Sequence, residues 1–181
     1  NLSVPTKYTC CYPMDKKFIE SHQRLIQKKI DDIKDKKIRI LFSAHSLPVS
    51  IIKGGDPYQW QVEKTVSAVM TGLKGHDDHV LAYQSKVTPV KWLEPSTPSE
   101  IEKAIKEDAA IIIVPIAFVS DHSETLVELD IEYKELADKS GCKNYSRVPA
   151  LGTNVNYIKA MSDLIINKQD YNFNGELFPP K

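Results

Sequence analysis

The feature that most constrains the fold is an apolar run, Ala109 to Phe118, which is followed directly by an acidic segment, Ser120 to Glu132. The run is rich in β-branched residues and apolar at both alternating sets of positions. This is typical of a strand covered by helices on both faces of a parallel sheet. Ser120 and Asp121 are favoured N-cap residues, so the acidic segment predicts a helix that continues to about Lys139.

Glutamates recur every four residues in the acidic segment, at Glu124, Glu128 and Glu132, which predicts three carboxylates along one helix face. At the carboxyl edge of a parallel sheet, these charges would lie where open α/β folds bind their ligands. A structural interpretation also fits. Asp121 and Glu124 have the D-x-x-E spacing of a capping box, and the later glutamates could face water. The spacing alone leaves both interpretations open.

The composition limits the classes of protein to consider. The chain has 181 residues, no net charge and 41% hydrophobic residues, which indicates one globular domain. Zero net charge argues against a nucleic-acid-binding protein. The longest apolar run is about half of the roughly 20 residues that a membrane span needs. Cys10, Cys11 and Cys142 form no C-x-x-C pair and are interpreted as reduced thiols, which predicts a cytoplasmic location.

Strands and helices alternate along the chain, which predicts right-handed βαβ units and an α/β fold with a mainly parallel sheet of about four strands. His22 lies on the apolar side of the first helix, where we expect a packed, hydrogen-bonded histidine rather than a metal ligand. Thr97 and Glu100 form a second capping box, and a loop is predicted from His45 to Gly55. The predicted strands are 37–44, 79–85, 109–118 and 145–150, and the predicted helices are 14–36, 56–75, 97–107, 120–139 and 154–166.

The carboxyl ends of the predicted strands bring reactive groups together. His45 follows the first strand, Gln84 and Ser85 end the second, and Phe118 to Asp121 end the third. Because the ends of parallel strands meet at one edge of a sheet, an imidazole and carboxylates are expected to share one crevice. Such a crevice suits general acid–base catalysis, or the binding of a divalent metal through nitrogen and oxygen donors. The sequence contains no phosphate-binding or hydrolase motif.

Two long segments resemble the signature segments of the ferrochelatase family, FSAHSLP at 42–48 and PIAFVSDHSETLVELDIEY at 115–133. Three shorter segments resemble the family in the same order: GDPY at 55–58, the YQSKV segment that begins at Tyr83, and RVPAL at 147–151. The resemblance implies insertion of ferrous iron into protoporphyrin IX.

The resemblance also implies a fold of two similar Rossmann-like, three-layer α/β/α halves with the porphyrin cleft between them. It covers about residues 11–166 and matches only the second, C-terminal half. We therefore expect residues 1–181 to form a single α/β domain and the N-terminal half to be absent from this sequence. The first residue is not methionine, and the opening segment does not resemble the start of a strand or helix, which favours a fragment.

The same resemblance implies roles for individual residues. His45 matches the family histidine proposed as a metal ligand or pyrrole proton acceptor, and Glu124 matches the glutamate that faces it across the macrocycle. These two are the expected catalytic residues. The implied metal contacts are His45, Glu124, Glu128 and Glu132, and the implied substrate contacts are Ser46, Leu47, Pro48, Trp92, Phe118, Asp121 and His122.

The expected function is the formation of protohaem from ferrous iron and protoporphyrin IX, the last step of haem biosynthesis. A second hypothesis is a non-catalytic fragment that binds metal or porphyrin weakly because the N-terminal half of the cleft is missing. A third is a chelatase for sirohydrochlorin. Iron is a substrate here, and no iron–sulfur cluster is expected because the tail after Ile166 has no cysteine. The expected partners are the porphyrin, ferrous iron and the missing half, without nucleic acid; contact with the inner face of a membrane is left open.

Overall fold

A computed structural model describes residues 4, 9–34, 37–73, 75–86, 88–166 and 179. All neighbouring strands in its sheet pair in parallel. The strands are Ile38–His45 (β1), His79–Gln84 (β2), Ala110–Pro115 (β3) and Tyr145–Arg147 (β4), and their order in the sheet is β2-β1-β3-β4. The prediction of an α/β fold with a parallel sheet of about four strands is confirmed.

Helices cover both faces of this sheet. The α-helices are Lys16–Asp32 (α1), Val49–Lys53 (α2), Tyr58–Met70 (α3), Thr97–Lys106 (α4), Ser123–Leu126 (α5), Tyr133–Lys139 (α6) and Val155–Ile166 (α7), and a π-helical turn, Glu128–Glu132, joins α5 to α6. Helices α1, α3 and α7 pack on one face, and α4 and α6 pack on the other, which gives three layers. Among the residues that the structure describes, no helix is both long and apolar enough to span a membrane.

The two central strands are buried on both faces, because their side chains alternate between two hydrophobic clusters. In β1, Ile40 and Phe42 pack with α1 and α3, whereas Leu41 packs with α4 and α6. In β3, Ile112 belongs to the first cluster and Ile113 to the second. All five side chains are fully buried, and each stabilises the fold by roughly 1.5–3 kcal/mol. This is the packing that the two-sided apolar pattern predicts.

Strand β3 ends earlier than predicted. Strand pairing stops at Pro115, and the N–H of Phe118 donates to the Pro115 carbonyl at 3.1 Å, so the chain turns here instead of continuing to Phe118 as a strand. Phe118 nevertheless remains buried. The turn directs the acidic segment back over the carboxyl edge of the sheet.

The prediction of one continuous helix from Ser120 to Lys139 is wrong. Helix α5 begins at Ser123 and makes a single turn, and the π-helical turn then precedes α6. In that turn, the Val127 carbonyl accepts from the N–H groups of Ile131 and Glu132, both at 3.0 Å. The second of these bonds spans five residues, which is the hydrogen-bond pattern of a π-helix. The glutamates of this segment therefore do not line one face of a regular α-helix.

Helix α1 confirms the packing predicted for His22 but not its hydrogen bond. The helix is shorter than the predicted 14–36. It begins at Lys16, where Asp15 caps it by accepting from the N–H of Phe18 at 2.9 Å, and it ends at Asp32. His22 is 3% exposed and packs edge-to-face on Phe18. Its Nε2 atom has no hydrogen-bond partner among the described residues. Burial disfavours the charged imidazole and lowers the pKa of His22 to about 4.

Two further predictions about local structure are corrected. The predicted loop from His45 to Gly55 contains α2, which has five residues and is too short for its periodicity to be recognised in the sequence. Helix α4 is capped by Ser96, whose hydroxyl accepts from the N–H of Ser99 at 3.4 Å, and not by Thr97. The prediction that no iron–sulfur cluster is bound depends on the tail after Ile166. That tail lies almost wholly outside the described residues.

Candidate functional site

The carboxyl ends of β1, β2 and β3 lie at one edge of the sheet. His45, the last residue of β1, pairs in register with Gln84, the last residue of β2, and Ser43 pairs with Pro115 at the end of β3. The segment that carries Glu124 returns to this edge, where the Gln84 side chain donates to the Glu124 backbone carbonyl at 2.9 Å. The structure therefore brings together the strand ends that the sequence predicted to converge.

His45 and Glu124 face each other at this edge. The Nε2 atom of His45 lies 3.8 Å from Oε1 of Glu124, and the two side chains are 35% and 40% exposed. The Nδ1–H of His45 donates to the backbone carbonyl of Ser46 at 2.6 Å. Since a carbonyl oxygen only accepts, Nδ1 carries the proton of the neutral ring and Nε2 presents a lone pair. The pair can therefore accept a proton and stabilise the imidazolium, or bind a metal ion through nitrogen and oxygen.

The separation of His45 and Glu124 bears on the expectation that the two residues face each other across the macrocycle. Two atoms that sandwich a flat ring must be about 7 Å apart, twice the usual contact distance. The observed 3.8 Å is too short to admit a macrocycle between them.

The backbone at His45 is anchored by hydrogen bonds from neighbouring elements. The Tyr58 hydroxyl donates to the His45 carbonyl at 2.9 Å, and the N–H of Ser46 donates to the Gln84 carbonyl at 2.8 Å. Burial raises the pKa of Tyr58, so its hydroxyl remains a donor. Ser46 is fully buried and its hydroxyl donates to the Leu93 carbonyl at 3.5 Å. The Ser46 side chain, a predicted substrate contact, therefore points into the protein interior.

The loop after His45 is tied to the loop that carries Trp92. Pro48 and Trp92 lie side by side in a short antiparallel bridge, in which the N–H of Leu93 donates to the Leu47 carbonyl at 3.0 Å. The indole N–H of Trp92 donates to the carbonyl of Thr88 at 2.8 Å, which fixes the half-buried ring. Three predicted substrate residues, Leu47, Pro48 and Trp92, therefore lie in one hydrogen-bonded part of the site.

His122, and not Asp121, caps α5. Its Nδ1 atom accepts from the N–H of Glu124 at 3.2 Å, and the Thr125 hydroxyl accepts from the N–H of His122 at 2.9 Å. The predicted D-x-x-E capping box is therefore wrong, and the H-x-x-T pattern is the one that forms the box. Because Nδ1 accepts, the neutral His122 ring carries its proton on Nε2. The cap fixes the backbone of the residue that carries the acid.

Asp121 is held by Arg147, which the sequence interpretation did not single out. Arg147 donates to Asp121 at 2.7 Å and makes a bidentate pair with Asp130, at 2.6 and 2.8 Å. The guanidinium is largely buried, so this pair firmly connects β4 to the acidic segment. Arg147 begins the RVPAL segment, which was the available signal in the sequence. A substrate contact at Asp121 would compete with this ion pair.

Glu128 is fully engaged by protein donors. Its carboxylate accepts from Gln84 Nε2 and the N–H of Ser85, both at 2.9 Å, from the Ser85 hydroxyl, and from the Tyr133 hydroxyl at 2.6 Å. Burial and the bond to Glu128 raise the pKa of Tyr133, which keeps this hydroxyl a donor. Glu132, in contrast, is exposed.

Comparison with known proteins decides the family. A family model described as Ferrochelatase matches residues 1–169. The chain belongs to the ferrochelatase family. It is 57% identical to the ferrochelatase of Pelagibacter ubique (strain HTCC1062), over 100% of this chain and 52% of that protein. The ferrochelatases of Rickettsia bellii (strain OSU 85-389) and Rickettsia conorii (strain ATCC VR-613 / Malish 7) are each 51% identical, over 99% and 95% of this chain. The chain spans about half the length of the curated relatives it matches.

The site residues implied by the resemblance to ferrochelatases do not all meet in one cluster. His45 lies beside Glu124, and the Phe118 ring packs edge-on against His122 with 5.0 Å between centroids. In the part of the chain that the structure describes, no group of three or more His, Cys, Asp or Glu side chains is arranged to hold a metal ion. A metal path that uses Glu128 and Glu132 stays a prediction.

Proposed function

We propose that this chain supplies the C-terminal half of an enzyme that inserts ferrous iron into protoporphyrin IX to form protohaem. The observation that carries the proposal is the pair of His45 and Glu124, whose Nε2 and Oε1 atoms are 3.8 Å apart at the carboxyl edge of the sheet. Family membership supports the substrate class, since relatives at 57% and 51% identity are named ferrochelatases.

Porphyrin metallation needs a base, because two pyrrole nitrogens lose their protons as the divalent metal binds. His45 suits this task, since its Nδ1–H is bound to the Ser46 carbonyl and its Nε2 lone pair is available. A proton accepted on Nε2 forms an imidazolium beside Glu124, whose carboxylate stabilises the charge and serves as the next acceptor. The two released protons balance the charge of the ferrous ion that replaces them.

The same pair suits transient binding of the metal ion. Two donors that bind one ion at about 2.1 Å in tetrahedral geometry are about 3.4 Å apart. The 3.8 Å between His45 and Glu124 is close to that value, so a small side-chain adjustment would suffice. Two nitrogen and oxygen donors hold an ion loosely, which favours its transfer to the four nitrogens of the porphyrin.

We infer from the 3.8 Å separation that His45 and Glu124 act from one side of the ring, which has a consequence for the missing half. If His45 and Glu124 act from the same side, the opposite face of the porphyrin needs other residues to cover it and hold it in place. We assign that role to the N-terminal half of the enzyme. The chain alone is then expected to bind porphyrin or metal weakly and to lack turnover.

A reconstitution assay tests this function. Insertion of zinc or ferrous iron into protoporphyrin IX is followed by absorbance, with this chain alone and with the N-terminal half of the Pelagibacter ubique relative added. We expect turnover by the mixture and none by the chain. Stable association of the halves without insertion would favour the non-catalytic alternative. Insertion into sirohydrochlorin but not protoporphyrin IX would favour the third hypothesis.

We also propose that the protein carries no iron–sulfur cluster, because residues 167–181 contain no cysteine, and that it acts in the cytoplasm, because its three cysteines are interpreted as reduced thiols. Acid-labile sulfide in protein purified without air would contradict the first statement. Cell fractionation tests the second, and it also measures any peripheral contact with the membrane.

A further inference from the structure

Gln84, at the end of β2, connects the sheet to the segment that carries the acid. It is 1% exposed, and its amide is satisfied by three neighbours. Oε1 accepts from the Ser43 hydroxyl at 2.7 Å, while Nε2 donates to the Glu124 backbone carbonyl and to Glu128 Oε2, both at 2.9 Å. A single buried side chain therefore holds two points of the acidic segment.

The orientation of the Gln84 amide is fixed by the core beneath it. The Ser43 hydroxyl also contacts the Thr97 hydroxyl at 2.9 Å, and both residues are fully buried. Because Ser43 donates to Gln84, Thr97 must donate to Ser43. A flipped amide would place Oε1 against two acceptors, the Glu124 carbonyl and the Glu128 carboxylate. The network is therefore satisfied in one orientation only, and it aims both N–H bonds at the acidic segment.

Helix α5 depends on such contacts because it is a single turn, and an isolated turn is unstable in water. The His122 cap fixes the start of the turn. The Gln84 amide holds the carbonyl of Glu124, the residue whose carboxylate faces His45. These two anchors, one from within the segment and one from the sheet, set the position of the acid.

We propose that Gln84 is a positioning residue for metallation, which holds Glu124 beside His45 through the backbone without touching metal or porphyrin. Its kinetic consequence rests on the proposed function. The mechanical part, that Gln84 holds α5 in place, does not.

Kinetics of the reconstituted two-half enzyme test the kinetic consequence of the proposal. Gln84→Met keeps the length of the side chain and removes both N–H bonds. We expect kcat to fall about 100-fold, with KM for porphyrin within about twofold of wild type. If Gln84 acts through Glu124, the same substitution causes little further loss in a Glu124→Gln background.

Two matched variants control for loss of a polar bond in general. Gln27→Met removes an amide bond to the Asp31 carboxylate, of 2.8 Å, on the surface of α1. Gln23→Met removes two amide bonds, from Nε2 to the carbonyls of Ala68 and Val69 at 3.2 and 3.1 Å, away from the acidic segment. Both should retain wild-type kcat. Decreases in kcat that parallel the decreases in Tm across all variants would show a merely structural role and overturn the proposal. So would a decrease in kcat that is additive with that of Glu124→Gln.

Amide hydrogen exchange on this chain alone tests the mechanical part without any assay of activity. The N–H of Leu126 donates to the His122 carbonyl at 2.8 Å, and it reports on α5. Gln84→Met should speed its exchange about tenfold and leave α1 unchanged, whereas Gln27→Met should not affect α5. Unchanged exchange at Leu126 would refute the proposal. Absence of insertion by the wild-type mixture would instead refute the proposed function, while the exchange result would still decide the role of Gln84.

Discussion

His45 and His122 present opposite ring nitrogens at one edge of the sheet. His45 donates from Nδ1 to the Ser46 carbonyl at 2.6 Å and keeps a lone pair on Nε2. His122 accepts at Nδ1 from the N–H of Glu124 at 3.2 Å and keeps its proton on Nε2. One histidine therefore supplies an acceptor to the crevice, and the other secures the backbone of the neighbouring acid.

The capping role of His122 predicts a specific pattern of stability. His122→Ala removes the acceptor for the Glu124 N–H and should lower the free energy of unfolding by about 1 kcal/mol. His122→Asn retains a short acceptor and should recover most of that loss. Urea denaturation followed by circular dichroism measures both, with His76→Ala, in the loop before β2, as the control. Equal stability of the Ala and Asn variants would contradict the capping role.

The chemistry proposed for His45 and Glu124 predicts a separation between activity and stability. In the reconstituted enzyme, His45→Ala or Glu124→Gln should lower turnover by more than about 100-fold, because each removes a group that handles protons or metal. The unfolding free energy should change by less than about 1 kcal/mol, since both side chains are partly exposed. His79→Ala is the matched histidine control. Near-normal turnover in either variant would remove that residue from the mechanism.

The layers of the fold could be predicted because their signal is local and repeated. Ile40, Leu41 and Phe42 in β1, like Ile112 and Ile113 in β3, are apolar at successive positions, and the structure buries them in alternate clusters. A strand with two apolar faces must be covered on both sides, and this is typical of the middle of a parallel sheet. The meeting of the strand ends at one edge follows from the same parallel arrangement.

The details of the acidic segment could not be predicted because they depend on partners far away in the sequence. Glutamates at four-residue spacing suggest one helix face, but Glu128 is turned toward Gln84 and Ser85 of another strand. The capping histidine was missed because its acceptor is a ring nitrogen, whereas Asp121, the usual type of cap, is drawn to Arg147 instead. Helical spacing carries no information about such tertiary competition.

Glu132 is expected to act on metal delivery and not on stability. It is exposed, so Glu132→Gln should leave the unfolding free energy within about 0.5 kcal/mol of wild type. Loss of its charge should weaken attraction of the ferrous ion and raise the half-saturating iron concentration, while kcat at saturating iron is unchanged. An iron saturation curve at low ionic strength measures this, and an unchanged curve would contradict a role in delivery.

Glu128 should behave differently from Glu132, because its carboxylate is bound by Ser85, Tyr133 and Gln84. Glu128→Gln replaces one acceptor oxygen by an N–H₂ group, which then faces a donor. We expect a loss of about 1–3 kcal/mol in the free energy of unfolding. Denaturant unfolding of the two variants side by side measures the contrast. Equal stability of the Glu128 and Glu132 variants would mean that the bonds to Glu128 contribute nothing.

The burial of His22 predicts a pH dependence of stability. Its pKa is lowered to about 4 by burial, whereas an unfolded histidine titrates at about 6.5. Between these values the unfolded chain binds more protons than the folded chain, so stability falls as the pH decreases from about 6.5 toward 4. The contribution of His22 is constant above that range, and its full loss amounts to about 3 kcal/mol.

Removal of this single imidazole should isolate its contribution. His22→Leu cannot bind a proton, so its unfolding free energy should fall less steeply than that of wild type between pH 6.5 and 4, by about 3 kcal/mol in total. Carboxylates titrate in both proteins and cancel in the difference. His76→Gln, in the loop before β2 and outside the core, should retain the wild-type slope. Parallel curves for His22→Leu and wild type would mean that the buried ring accepts its proton in the folded state, and that the apolar packing against Phe18 does not exclude the charge.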